Sequence, residues 1–252
     1  MSVLLADQSG PILTFTLNRP EVHNAFNAEL IASLKDAFTA PMDGIRAVVL
    51  KGSGKSFCAG ADLSWMREAA GYSHRENVAD AGGLSDMLNA VYACPVPVIA
   101  DVHGAAYGGG VGLVACADIA VAAANAKFML SEVRLGLTPA TISPFVLQAM
   151  GQRAASRYFV TAEGFSAAQA HACGLVHAID EDAQDMAAAI ANNGPEAVRA
   201  AKALVRDFAG QAITDDLRSQ TANRIADRRA SDEGKEGIAA FLEKRAPSWR
   251  AP

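Results

Sequence analysis

Three stretches of the chain gather the residue types that chemistry would need. The first is KSFCAGADL, Lys55 to Leu63, in which small residues follow a predicted strand and precede a helix-prone stretch. Residues this small let a ligand approach the backbone and its N–H groups. Taken alone, the segment reads more simply as a tight strand-to-helix turn. The second is HGAAYGGGVGLVACAD, His103 to Asp118, where Gly108, Gly109 and Gly110 stand between a predicted strand and an apolar helix. Each glycine in regular structure costs roughly 0.5–1 kcal/mol relative to alanine, so a close approach to a ligand is a plausible compensation. A helix starting there offers unbonded N–H groups and the positive end of its dipole, which suit a carbonyl oxygen gaining negative charge, as in enolate chemistry. Helix packing is the alternative use of such a cluster. The third is KFMLSEVRLGLTPATISPF, which sets Glu132 between an apolar strand and a glycine- and proline-rich loop. Taken alone, a glutamate there reads as surface charge.

The elements that must hold these stretches alternate strand and helix. VLLA and ILTFTL flank the turn-rich cluster Asp7–Gly10 and predict a β-hairpin. Asn27 is placed to cap AELIASLKDAFTA, whose apolar residues recur at three and four. RAVVLKG reads as a buried strand, about Ser85 to Tyr92 as helix-prone, and PVPVIADVHG as a strand running into the glycine cluster. This alternation predicts an α/β fold. From Ser143 onward the pattern turns to short helices, with LVHAI around Leu175 as a late strand. Asn192-Asn193-Gly194-Pro195 is the clearest break. It separates an expected core, residues 1–194, from an expected helical region, residues 195–252, made of EAVRAAKALVRDFA, TDDLRSQTANRIADRRA and DEGKEGIAAFLEKR. There is no fixed-period repeat.

Composition narrows the partners. The 252 residues are 51% hydrophobic and 19% charged, enough apolar material for a substantial core and far from the composition of a disordered chain. A net charge of −5 gives no general attraction to nucleic acid or anionic lipid, so neither is an expected partner. Cys58, Cys94, Cys116 and Cys173 have no paired C-x-x-C spacing, and the five histidines lie in no metal-spaced set. The cysteines read as reduced core thiols, and no metal is expected. The start, MSVLLADQSGPILTF, has no basic leader or long apolar run, and no later segment reaches the roughly 20 apolar residues of a membrane span. The cytoplasm is the expected address.

Taken together, the small-residue turn and the glycine cluster resemble the crotonase (enoyl-CoA hydratase/isomerase) superfamily, and the resemblance runs from about Ile12 through the C-terminal FLEKR. It implies a crotonase-like spiral of β-β-α repeats with a C-terminal helical region that assembles the subunits, and a homotrimer or dimer of trimers. It also implies an acyl-CoA thioester as substrate with no separate cofactor, coenzyme A being part of the substrate. In the family, two backbone amides form an oxyanion hole; here they fall on Ala61 and Gly109. The acid/base glutamate of the E-x-x-x-G-x-x-P pattern falls on Glu132, with Gly136 and Pro139. The coenzyme A contacts fall on Val22 in the N-R-P-x-x-x-N-A loop with its neighbours Glu21 and His23, on Ala59 and Ala61 in the A-G-A-D turn, and on Phe241 and Lys244 in the C-terminal F-x-x-K. Glu21 stands where many relatives carry lysine. Trp65, Met66, Gly112 and Phe145 are expected around the acyl group, although large apolar residues beside a turn also read as core.

Position 112 departs from the pattern, because the two-glutamate hydratases carry their other glutamate there. Relatives with only the second glutamate include 3-enoyl to 2-enoyl isomerases. ADLSWM together with SEVRLGLTPATISPF looks more like the branched-chain hydratases that act on methylglutaconyl-type or carboxygeranoyl-type CoA esters. The resemblance therefore implies an enoyl-CoA hydratase (a lyase) for a branched acyl group. An isomerase, or a CoA-ester-binding protein without turnover, are the readings left beside it.

Overall fold

Leu4–Ser9 (β1) and Ile12–Leu17 (β2) pair antiparallel, from Leu4↔Leu17 to Ser9↔Ile12. The turn falls at Gly10, with φ +56, later than the Asp7–Gly10 cluster suggests, because Asp7, Gln8 and Ser9 stay in the strand as solvent-facing positions. In this computed structural model, which describes residues 2–250, two compact units divide after Ala187.

In the first unit, the Asn27 side chain accepts the Leu30 N–H at 2.9 Å and starts Ala28–Thr39 (α1). Leu30, Ile31, Leu34 and Phe38 form its buried stripe. Ala47–Gly52 (β3) follows, with Ala47 to Leu50 buried consecutively, as expected of a parallel strand covered on both faces. Leu63–Ala69 (α2) and His74–Ala93 (α3) come next. α3 begins well before Ser85, because Ser73 and Glu76 form a reciprocal capping box. Gly82 and Gly83 inside the helix weaken the apolar period that would have revealed it.

The chain continues through Val98–Val102 (β4), Ala105–Tyr107 (β5), Gly109–Cys116 (α4), Ile119–Ala122 (β6) and Lys127–Met129 (β7). Ser143–Thr161 (α5) is longer than the short helices expected and bends at Gly151, φ +73. Phe165–Ser166 (β8), Ala167–Ala172 (α6) and Ala178–Ile179 (β9) follow, and Ala183–Ala191 (α7) carries the chain past the division after Ala187. The larger sheet runs β1-β2-β3-β4-β6-β9, parallel throughout except for β1 against β2. The smaller sheet runs β5-β7-β8. Fully buried side chains such as Leu17, Leu34, Leu50, Phe57 and Met87 form the core, each contributing roughly 1.5–3 kcal/mol by leaving water.

The second unit contains Pro195–Phe208 (α8), Asp215–Ala230 (α9) and Asp232–Leu242 (α10), so Gly194 stands at the N-cap of α8. The Glu233 carboxylate accepts the Glu196 and Ala197 N–H groups at 2.9 and 2.8 Å and pairs with Arg228, capping α8 from α10. Among the described residues, no helix is long and apolar enough to cross a membrane.

Candidate active site

The smaller sheet brings the three chemistry-bearing stretches side by side. β5 and β7 are parallel with Tyr107 opposite Met129, so the chain beyond each strand leaves the same end of the sheet. Beyond β5 comes the glycine cluster; beyond β7 comes Glu132, which opens the 3-10 turn Glu132–Leu135. Residues 57–58 run alongside β5: the Phe57 and Cys58 N–H groups donate to the His103 and Ala105 carbonyls, and Tyr107 N–H donates to Cys58. That third segment carries Gly60 and Ala61 up to the same end. Sites at the carboxyl ends of parallel strands follow from this geometry.

Two backbone donors are left over there. Phe26 N–H donates to Gly60 and the Phe26 carbonyl accepts from Asp62, at 2.6 and 2.9 Å, an isolated parallel bridge centred on Ala61. In a parallel bridge the residue between those two neighbours turns its own N–H to the opposite side, so that of Ala61 points away from Phe26. Gly108 N–H donates to Met129 at 2.8 Å, whereas Gly109 is the first residue of α4, whose N–H has no partner within the helix. Neither the Ala61 nor the Gly109 N–H donates to another group among the described residues. The two segments are close: a Cβ added at Gly60 would lie 2.8 Å from the Tyr107 carbonyl oxygen and 3.7 Å from the Gly109 nitrogen.

The glycines make this approach possible. Gly108 adopts φ +50 and ψ −118, a conformation that only glycine takes freely, and a Cβ there would lie 3.1 Å from Glu132 Oε1. A Cβ at Gly109 would lie 2.7 Å from the Phe26 ring, and one at Gly110 only 2.2 Å from the Cys58 carbonyl oxygen. Glu132 Oε2 is buried and has no hydrogen-bond partner among the described residues. Burial pushes the Glu132 carboxyl above its ordinary value, which suits a group that must take up and return a proton. Cys58, by contrast, is pushed up to about 12 by burial and stays an inert thiol.

A cavity of about 390 Å³ opens at this end, lined in part by Ala59, Ala61, Gly109 and Glu132. An open groove of about 790 Å³ along α5 is larger, but no ionisable side chain among the described residues lines it. Unbonded amide donors next to a carboxylate whose free oxygen is buried suit an oxygen that gains negative charge while a proton moves. Residues 7–252 match the enoyl-CoA hydratase/isomerase family. The chain belongs to that family.

It is 34% identical over 253 residues to the crotonyl-CoA hydratase of Syntrophomonas wolfei, an alignment covering 96% of this chain and 95% of that protein. It is 32% identical over 260 residues to the 2,3-dehydroadipyl-CoA hydratase of Escherichia coli, covering 99% of each. The crystal structure of an enoyl-CoA hydratase from Shewanella pealeana matches with a TM-score of 0.93 at 40% identity, covering 98% of this chain and 96% of that one. The mixed α/β architecture is that of crotonase structures.

Of the residues expected around this family's acyl group, Trp65 and Met66 line the cavity, Trp65 donating its indole N–H to Asp80 at 3.1 Å. Gly112 and Phe145 do not line it. Ile142 covers Gly112, and the Phe145 ring packs on Tyr92 with centroids 5.5 Å apart. Ala59 lines the cavity and gives its N–H to the His23 carbonyl, while Val22 lies in the 3-10 turn Pro20–Val22 outside the lining. Phe241 and Lys244 belong to the second unit, where Phe241 is exposed.

Sequence reasoning missed the residues that hold the Ala61 turn. Arg19 pairs with Asp62 at 2.8 Å, both nearly buried, and also donates to the Ala25 carbonyl. The fully buried Asn24 accepts the Arg19 N–H and donates to the Ser53 and Ser56 carbonyls, each at 2.8 Å. Burial opposes the charge on Asp62, but the Ser64 N–H and the Arg19 guanidinium outweigh it and hold the carboxyl below its ordinary range. The only signal was the spacing of Arg19 and Asn24 within the N-R-P-x-x-x-N-A loop.

Proposed function

We propose that this protein is an enoyl-CoA hydratase that adds water across the 2,3 double bond of a branched enoyl-CoA. The observation that carries this reading is the pair of unbonded N–H groups, Ala61 and Gly109, on one cavity with the unpartnered Glu132 oxygen. The thioester oxygen sits between the two amides. As water attacks C3, Glu132 takes its proton and the double-bond electrons move onto the thioester oxygen as an enolate. Protonated Glu132 then returns the proton to C2 and the carbonyl re-forms. Losing one such amide donor typically costs roughly 2.7–4 kcal/mol of barrier lowering. The hydratase names of the relatives above support the same reaction. We further propose, from the family resemblance, a homotrimer or dimer of trimers, with Val22, Ala59 and Ala61 as contacts to coenzyme A; Phe241 and Lys244, in the second unit, are proposed separately as coenzyme A contacts.

One observation favours a second reading, the 3-enoyl to 2-enoyl isomerase. Ile142 and Leu88 fill the space beside Gly112, so Glu132 manages without a second carboxylate. Separate reactions with a straight-chain 2-enoyl-CoA, a 3-enoyl-CoA and 3-methylglutaconyl-CoA, followed by product analysis, test the two. Formation of 3-hydroxyacyl-CoA without double-bond migration is the hydratase outcome; migration without hydration would replace it with the isomerase.

A further inference from the structure

The charge content of the cavity constrains what it can hold. Among the described residues that line it, Glu132 is the only one with an ionisable side chain; no lysine, arginine or histidine is there to meet an acidic substituent. The large side chains are apolar, among them Phe26, Trp65, Met66, Leu84 and Ile142, with three leucines at the more exposed part of the lining. Ile142 is 3% exposed and lies between Gly112 and the cavity. A Cβ at Gly112 would lie 2.5 Å from Ile142 Cγ2 and 3.5 Å from Leu88 Cδ2. Ile142 methyl groups thus take the space into which a longer side chain at position 112 would project. A carboxylate at the far end of an acyl group would lose part of its hydration against this apolar wall and gain only a like-charged neighbour.

Resting on the hydratase reading above, we propose that the acyl pocket selects uncharged, apolar enoyl groups, and that Ile142, filling the space beside Gly112, sets this selectivity. The selected acyl group then differs from the carboxylate-bearing esters of the hydratases that the ADLSWM segment resembles.

Saturated esters test this apart from turnover, because they bind without being hydrated. 3-Methylpentanoyl-CoA and 3-methylglutaryl-CoA share a carbon skeleton and differ in a terminal methyl against a terminal carboxylate. Isothermal titration of the wild-type protein is expected to give at least about 10-fold tighter binding of the neutral ester. Ile142→Ala, or Ile142→Val if the first is poorly folded, opens the wall and should narrow that ratio. Gly112→Glu alone should weaken both esters through its clash with Ile142. The same change in the Ile142→Ala background should recover binding relative to Gly112→Glu alone. Equal or tighter binding of the carboxylate ester to wild type, or a ratio that Ile142 substitutions leave unmoved, would overturn the proposal. A protein that ranks the esters as expected yet adds no water would fail the hydratase reading only.

Discussion

Glu132→Gln separates catalysis from stability at one residue. The amide keeps the size of the side chain and removes the base, and losing general acid-base catalysis costs on the order of 100-fold to 10,000-fold in rate. Folding should respond the other way. In the wild type, Oε2 is a buried acceptor without a partner, and burial raises the carboxyl's pKa. A carboxyl whose folded pKa lies above its unfolded one stabilises the protein fully at low pH, and that stability is lost as pH rises through the folded value. Glutamine removes the titration. A buried unsatisfied polar group costs roughly 1–3 kcal/mol, and solvent reaching the cavity discounts this to about 1 kcal/mol at most. For a chain of this size, 1 kcal/mol is roughly 2–4 °C in Tm. The variant should therefore lose turnover, keep its affinity for CoA esters, and melt at the same temperature as wild type or slightly above it at neutral pH. The assay is steady-state hydration at saturating substrate, with calorimetric melts at acidic and neutral pH. Near-normal turnover would remove Glu132 from the chemistry; a large drop in Tm would show that its carboxylate is instead a structural anchor.

Gly110→Ala sets a Cβ 2.2 Å from the Cys58 carbonyl oxygen, so overpacking should destabilise by roughly 1–3 kcal/mol, read as a lower Tm. Arg19→Met strands Asp62 and should destabilise toward the lower part of the roughly 3–5 kcal/mol typical of a broken buried pair. Because the folded Asp62 carboxyl lies below its ordinary range, the wild-type contribution is present above the unfolded pKa and is lost as pH falls through the folded one. The difference in Tm between Arg19→Met and wild type should accordingly shrink in acid. Lys244→Ala should weaken full CoA esters more than truncated pantetheine esters, since only the former carry nucleotide phosphates; equal losses in a binding titration would reject that contact.

Local chemistry explains what the sequence disclosed. The Asn27 cap, the run Ala47 to Leu50 and the step from strand to glycine cluster each depend on neighbours within a few residues, and each predicted element is present. Glu132 and the two small-residue stretches were legible as a set through their resemblance to the crotonase superfamily; taken singly they read as surface charge, a tight turn and a helix-packing cluster. The start of α3 was hidden by Gly82 and Gly83, and the length of α5 by the bend at Gly151. The remaining misses are contacts between distant positions. Asn24 holding Ser56, Arg19 holding Asp62 and Ile142 covering Gly112 join residues that no local period relates. Phe145 is the reverse case: the family resemblance suggested an acyl pocket, its size suggested core, and it packs on Tyr92.

Hydration across the double bond is tested most directly by running the wild-type reaction with a 2-enoyl-CoA in water enriched in heavy oxygen and analysing the product by mass spectrometry. One heavy oxygen at C3 of a 3-hydroxyacyl-CoA, formed by wild type and reduced on the order of 100-fold or more in Glu132→Gln, is the expected result. Turnover of a 3-enoyl-CoA to its 2-enoyl isomer with no heavy oxygen in any product would contradict it.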